Sequence, residues 1–398
     1  MTKLNIVAAS VMMAVTGSAL AVPAVSDYDE ATAAYQDAYV EGLFNLDSGN
    51  QDQTSYNLDL FLDYEQVFSS SDLDTTINFD GEASRDRGPD AGNEDKSYYL
   101  AEGLVSADKY FAPDRNLNFY YGKAEVGLKK GQEDPRTQVT IGLGYGRVVN
   151  VTPMARAIRI IEALRLRGSL TGDPSDAVYQ EVAVVIDKEA EYSTRYGQED
   201  YEQYWIADIE NALKGSGMVA GGGDLGAGAI LKAYDVLDRE TIQTRKKGWE
   251  VRAGVGVLFT NYDGENGKPL LEAIAEYHYP IGNSTQFSNV ASVGATLDDG
   301  DNSYFFENDM SLTYELTDLI DWRNGWTFTH LETDADGFED ITTHTISSGF
   351  YYYLTNQLNL GLTATLVDLE DNVNYSINGL RNDGWERNLN LSIRYRLK

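Results

Sequence analysis

Apolar and polar residues alternate strictly over much of this chain. From Tyr56 the sequence reads Tyr-Asn-Leu-Asp-Leu-Phe-Leu-Asp-Tyr-Glu. Successive side chains of a β-strand point to opposite faces. Tyr56, Leu58, Leu60, Leu62 and Tyr64 therefore share one face, and Asn57, Asp59, Phe61, Asp63 and Glu65 the other. One side is apolar with tyrosine at both ends; the other is wet. The same alternation returns in Val139, Ile141, Leu143 and Tyr145, and in Trp249, Val251, Ala253, Val255, Val257 and Phe259. It recurs in Leu271 to Tyr279, in Met310 to Leu316, and in Leu389 to Leu397.

Collected in this way, strands are predicted at 37–47, 54–66, 72–80, 96–106, 116–129, 137–149, 248–260, 269–280, 285–297, 303–317, 324–333, 341–354, 357–368 and 385–397. Three carry the pattern least well. Segment 37–47 could prolong an N-terminal helix, 72–80 is short, and in 96–106 Tyr98, Leu100 and Leu104 share a face with Glu102. The count is thus about fourteen, with twelve and sixteen open. An even count leaves both ends of the chain on one side of a sheet closed into a barrel, with long loops on the far side and short turns on the near side. The connectors fit: 81–95, 298–302 and 369–384 are long or acidic, whereas Gly282-Asn283-Ser284 and Thr355-Asn356 are compact turn chemistry. A soluble sandwich also alternates, because its apolar faces meet in a core. Long strands ended by aromatics, with carboxylates on the second face, fit a barrel lumen better, since unpaired charge is costly in a packed core. The expected fold is mainly β: a transmembrane antiparallel β-barrel of about fourteen strands, with an α-helical insert. Residues 22–149 supply its first part and 248–398 its second.

Between them, over 150–247, the period changes from two to the helical spacing. Thr152-Pro153 opens a helix that runs through Arg167 and stops at Gly168. Asp173-Pro174 opens a second, to about Tyr196; a third spans roughly 200–214, and a fourth about 229–247. This stretch holds 12 basic and 16 acidic residues, a net of −4, so the barrel carries nearly all of the chain's −32. Its first helix is locally basic, with Arg156, Arg159, Arg165 and Arg167 against Glu162 alone. Two placements are open: a plug whose arginines face inward carboxylates such as Asp59, Asp63, Glu250 and Glu276, or a periplasmic helical domain. A barrel of this size is wider than side chains alone can fill.

Composition sharpens the picture. The 63 acidic residues against 31 basic ones repel phosphate backbones, so nucleic acid is excluded as a partner. With no cysteine there are no disulfides, thiolate metal sites or thiol nucleophiles. The 27 tyrosines suit membrane interfaces. Lys3, the apolar run Ile6–Val15 and Ala19-Leu20-Ala21 form a signal peptide over 1–21, with Ala24 as a second candidate cleavage position. Downstream no run of 18 apolar residues occurs, so entry into a membrane would be by strands.

Catalytic and ligand motifs are few. Gly221, Gly223 and Gly226 have dinucleotide-binding spacing, but a helix rather than a strand precedes them, and a hinge is the better reading. His344 and Ser347 point to opposite faces, and Ser348 is too far along the strand to meet the imidazole, so a hydrolase is not expected. Asp298, Asp299 and Asp301, or Asp334 and Asp336, could hold calcium but lack a helix-loop-helix spacing, which leaves metal binding open. No cofactor and no enzyme activity are expected.

The lumen-facing candidates are Asp59, Asp63, Glu65, Glu250, Arg252, Glu272, Glu276, Glu307, Glu315, Arg394 and Arg396. Alternation, aromatic girdle and export signal together resemble porin-like Gram-negative outer-membrane β-barrel proteins as a broad class, over about three quarters of the chain. The ending Leu397-Lys398 departs from the terminal aromatic of many such proteins, a role open to Tyr395. The resemblance implies residence in the outer membrane, contact with the lipid bilayer and lipopolysaccharide, and passage of a small solute or exported polymer. Two functions follow: a channel constricted by its insert and favouring cationic or neutral solutes, or a non-conducting assembly or secretion component whose insert docks a periplasmic partner.

Overall fold

The alternating segments pair with their sequence neighbours, and the sheet closes on itself. The computed structural model describes residues 22–29, 32–112, 116–262, 264, 266–298, 302–334, 340–355, 357–371 and 384–397. The strands are β1 (Ala33–Asp47), β2 (Ser55–Ser69), β3 (Leu73–Arg87), β4 (Lys96–Ala112), β5 (Asn116–Lys129), β6 (Arg136–Asn150) and β7 (Lys246–Thr260). They continue as β8 (Lys268–Ile281), β9 (Thr285–Thr296), β10 (Ser303–Thr317), β11 (Ile320–Thr333), β12 (Ile341–Tyr353), β13 (Leu358–Asp371) and β14 (Gly384–Arg396), and β14 meets β1. Connections at one end, here the inner end, are two to four residues long apart from the segment after β6; those at the outer end run from six to twelve.

The weaker strand expectations resolve simply. The first segment is a full strand from Ala33 rather than helix, and 72–80 extends to Arg87. Strand β4 runs to Ala112, and its face bearing Glu102 and Asp108 turns inward while Tyr99 and Val105 point out. Residues 1–21, the expected signal peptide, and the loop residues Asp299, Asp301 and Asp336 lie outside the described residues.

Burial is inverted relative to a water-soluble protein. On β6, Thr140 is 0% exposed while its neighbour Ile141 is 64% exposed. Outward Leu143, Val255, Phe259 and Leu362 are likewise uncovered. A band this extensive is costly in water and stable against hydrocarbon. Aromatic pairs edge it at both ends: Tyr145 with Trp249 (5.6 Å) and Tyr277 with Phe287 (6.1 Å) near the inner end, Phe306 with Phe328 (5.6 Å) near the outer. His344 joins the outer group, stacked on Trp326 and 4.7 Å from Phe328. Ser348 instead accepts from Trp322 and donates to Asn324.

Inside, Phe119 of β5 lies over Gly144 of β6. A Cβ there would sit 2.2 Å from the ring and 2.9 Å from the Val251 carbonyl oxygen. Gly144→Ala should displace Phe119 and destabilise the barrel by roughly 1–3 kcal/mol, the usual cost of overpacking. Urea unfolding from micelles measures it, and an unchanged midpoint would show that the ring has room to move.

The closing seam differs from the other thirteen pairings. Among the described residues, register partners join β1 to β14 from Tyr39↔Arg396 to Gly42↔Ile393, whereas β1 and β2 pair over fifteen positions. Beyond Gly42, among the described residues, Leu43–Asp47 and the facing part of β14 have no register partner across the seam, and Leu389 and Leu391 are 72% and 71% exposed. Unpaired backbone is expensive in hydrocarbon. Continuing the same register sets Asn45 opposite Asn390. Asn45→Cys with Asn390→Cys is therefore expected to cross-link under mild oxidation in this cysteine-free chain, read as a mobility shift of the unfolded protein. Failure to cross-link, while Glu41→Cys with Arg394→Cys does so, would show that the outer half stays apart.

The segment after β6 folds as α1 (Thr152–Leu166), α2 (Asp176–Asp187), α3 (Glu189–Tyr196), α4 (Tyr201–Gly215) and α5 (Ala227–Asp238). The second expected helix breaks at Lys188, whose ψ is 12°. The last stops at Asp238 rather than 247, and Lys246 already belongs to β7. Met154, Ile161 and Leu164 of α1 pack with Val182 of α2, Leu213 of α4 and Val236 of α5 into a separate apolar core. Val25 and Tyr28, ahead of β1, join that core, and the Tyr28 hydroxyl donates to Asp187 at 3.3 Å.

Candidate functional site

The lumen wall divides into three regions by how its charges are matched. Along β4–β9 they are paired densely. Arg252 donates to Asp108 Oδ2 from Nε (3.1 Å) and Nη2 (2.8 Å), and engages Glu250 and Glu276 as well. His278 lies 3.3 Å from Glu276 Oε2 and 2.9 Å from Ser288 Oγ. One strand further, Lys123 pairs with Glu272, which also accepts the Tyr121 hydroxyl at 2.9 Å. These groups are largely buried, and each charge has an opposite charge in contact, the arrangement that makes buried ions tolerable.

The middle and outer wall is different. Asp59 on β2, Asp80 on β3, Glu102 on β4, and Glu307 and Asp309 on β10 point inward, and among the described residues no ion pair reaches any of them. Asp309 accepts the Thr327 hydroxyl, at 3.0 Å. This face of the lumen carries uncompensated negative charge.

Basic residues collect at the inner mouth. Arg394 lies over the Tyr39 ring (3.9 Å) and 3.7 Å from Asp63. Arg396 pairs with Asp37, and Lys246 with Glu65 at 3.2 Å. Helix α1 contacts this mouth. Arg159 of α1 donates to Glu315 Oε2 of β10 at 2.5 Å and lies 3.8 Å from Asp318. Arg245, wholly buried, faces the other Glu315 oxygen at 2.7 Å. Gln243 donates to the Tyr353 hydroxyl at 2.6 Å, and that hydroxyl donates to Asp321. Arg156, one turn before Arg159, instead lines a cavity against β1, β2 and β14. Burial holds its guanidinium below the ordinary arginine value.

The four arginines of α1 therefore part company. Arg165 lies half a turn round from Arg156 and pairs with Asp173 inside the insert, while Arg167 caps the helix and lies against Gly228 of α5. Glu250 and Glu276, read as possible partners of this helix, are occupied by Arg252 from the barrel's own wall. Asp108, Lys123, Arg245 and Lys246 were not among the sequence candidates. Asp108 fell beyond the expected end of β4, and Arg245 and Lys246 were absorbed into a helix drawn too long. Continuing the inward parity of Glu102 and Glu125 reaches both Asp108 and Lys123.

A closed sheet that turns apolar side chains outward and ionised ones inward is a membrane-spanning barrel of the Gram-negative outer-membrane class. Within that class, residues 237–353, under a third of the chain, match a family described as "Protein of unknown function, DUF481". No curated protein matches the chain. Among solved structures it is similar to the COG4313 outer membrane channel from Pseudomonas putida F1, with 10% identity, a TM-score of 0.35, and 96% of this chain and 99% of that one covered. The beta domain of the Bordetella autotransporter BrkA shows 7% identity and a TM-score of 0.30, covering 92% and 98%. CdiB from Escherichia coli shows 8% identity and a TM-score of 0.40, covering 91% of this chain and 63% of its own.

Proposed function

We propose that the protein is an outer-membrane channel whose inner mouth is narrowed by its helical insert and which favours cationic or neutral solutes. One observation supports this reading: α1 reaches two parts of the inner mouth, with Arg156 toward β1, β2 and β14 and Arg159 on β10, four to six strands away in the ring of fourteen. A helix about 10 Å across leaves less room than the open barrel. The unpaired carboxylates from Asp59 to Asp309 supply the preference, since rings of carboxylate attract cations. The test is the reversal potential across a potassium chloride gradient in planar bilayers. Potassium preference supports the reading; chloride preference, or silence from the folded chain with and without its insert, overturns it.

A second reading has its own support. Leu166 and Leu231 stand 85% and 63% exposed on the insert. Apolar residues uncovered in this way suit docking of a periplasmic partner, and a non-conducting assembly component would need such a surface.

A further inference from the structure

Between the insert and the barrel's inner mouth lies a cavity of about 600 Å³, within the range of small-molecule sites, roughly 300–1,000 Å³. Tyr35 and Tyr39 of β1 and Tyr201 of α4 help wall it. Its charges are unevenly matched. Arg396 is taken by Asp37, and Arg394 by the Tyr39 ring and Asp63. Arg156 has no such partner. Its neighbours Met154, Ala155, Ala157 and Ile158 are buried in the insert's core, so the arginine is turned out of that core and into the cavity. Its Nε is closed off from solvent without a hydrogen-bond partner, and among the described residues it makes no ion pair.

A half-buried guanidinium that carboxylates such as Glu189 reach only at a distance, with none in ion-pair contact, is incompletely compensated. Its planar fork matches a carboxylate through two parallel hydrogen bonds. The rest of the lining rules against a simple anion: Asp37, Asp63, Glu65, Asp187 and Glu189 face three arginines, a net of −2. A ligand carrying a carboxylate and an ammonium meets both conditions. Asp63 is the open acceptor, with its side chain 56% exposed and its one ion pair at 3.7 Å. We propose that this cavity binds a small zwitterionic solute, an amino acid or short peptide, with its carboxylate on Arg156 and its ammonium at Asp63. The purpose of the site, a stopping point on a solute path, rests on the channel reading; binding itself needs no current.

The experiment is calorimetric titration of the full chain in detergent micelles with alanyl-alanine, its carboxyl-amidated form and inorganic phosphate. Saturable binding of the dipeptide is expected, at least tenfold weaker for the amide, for Arg156→Gln and for Asp63→Asn. Arg156→Gln should leave the insert as resistant to chymotrypsin as before or more so, because it removes a half-buried charge that makes no ion pair. If that variant fails to fold, Arg156→Lys keeps the charge, loses the fork, and should bind several-fold more weakly. No binding of the dipeptide, unchanged affinity in the arginine variants, or phosphate binding as tightly as the dipeptide overturns the assignment. Binding by a protein that carries no current would refute the channel and leave the site standing; current without binding would do the reverse.

Discussion

Joining Val151 to Arg245 through an Asn-Gly turn, with residues 152–244 removed, should convert a small or absent current into a large, potassium-preferring one. The junction is already prepared. The Val151 N–H donates to the Arg245 carbonyl at 2.7 Å, so the β6–β7 ladder continues one step past Asn150 and Lys246. A two-residue turn of this kind closes such a hairpin with the right twist. The insert has its own core, which no strand residue shares as a buried member, so its loss leaves the fourteen strands intact. If the channel reading holds, single-channel conductance should rise when a helix about 10 Å across leaves the mouth. Cation preference should persist in the shortened chain, because Asp59, Asp80, Glu102, Glu307 and Asp309 all remain. Glu307→Gln with Asp309→Asn should weaken it without lowering stability, since no ion pair is broken. If the shortened protein folds and stays silent, the transport reading fails, and the insert with its exposed Leu166 and Leu231 becomes bait for a periplasmic partner.

Much of this architecture was legible in the sequence because lipid imposes a simple rule. Each outward position must be apolar, and the period of two then shows in segments such as Trp249–Phe259 whatever the rest of the protein does. The rule weakens near strand ends, where Leu73 to Arg87 mixes Thr, Asn and Gly, and there the expected boundary fell seven residues short. Lumen positions obey no comparable rule. The inward orientation of Arg252, Glu276 and Glu315 followed from parity, but their partners did not, because contacts such as Arg252 to Asp108 join strands far apart in the chain. The division of the basic helix was half visible: Arg156 and Arg159 sit one turn apart, whereas Arg165 falls on another side. That Arg245 would complete the Glu315 site was hidden, since it comes from an irregular stretch that the periodicity made helical.

That Glu315 site fixes the second large effect. Glu315→Gln should loosen the insert from the barrel while leaving the barrel folded. The carboxylate is 4% exposed and is shared by two guanidiniums, Arg245 at 0% and Arg159 at 21% exposure. Removing its charge leaves Arg245 buried with no full negative charge in contact, and breaking a buried pair from one side costs about 3–5 kcal/mol. At 1.4 kcal/mol per factor of ten, the insert should open on the order of 10² to 10³ times more often. Arg159 retains Asp318 of the β10–β11 turn at 3.8 Å, so part of the attachment survives and the loss should stop short of complete release. Trypsin cleavage within 152–244, followed on the protein in micelles, reads the opening directly, while heat-modifiable gel mobility reports the barrel separately. Unchanged proteolysis would mean that the apolar packing of Val25 and Tyr28 holds the insert on its own. If the channel reading is right, the same substitution should lengthen open times in bilayers, and the double substitution Glu315→Gln with Arg245→Met should restore the closed behaviour, because it removes the stranded charge along with its lost partner.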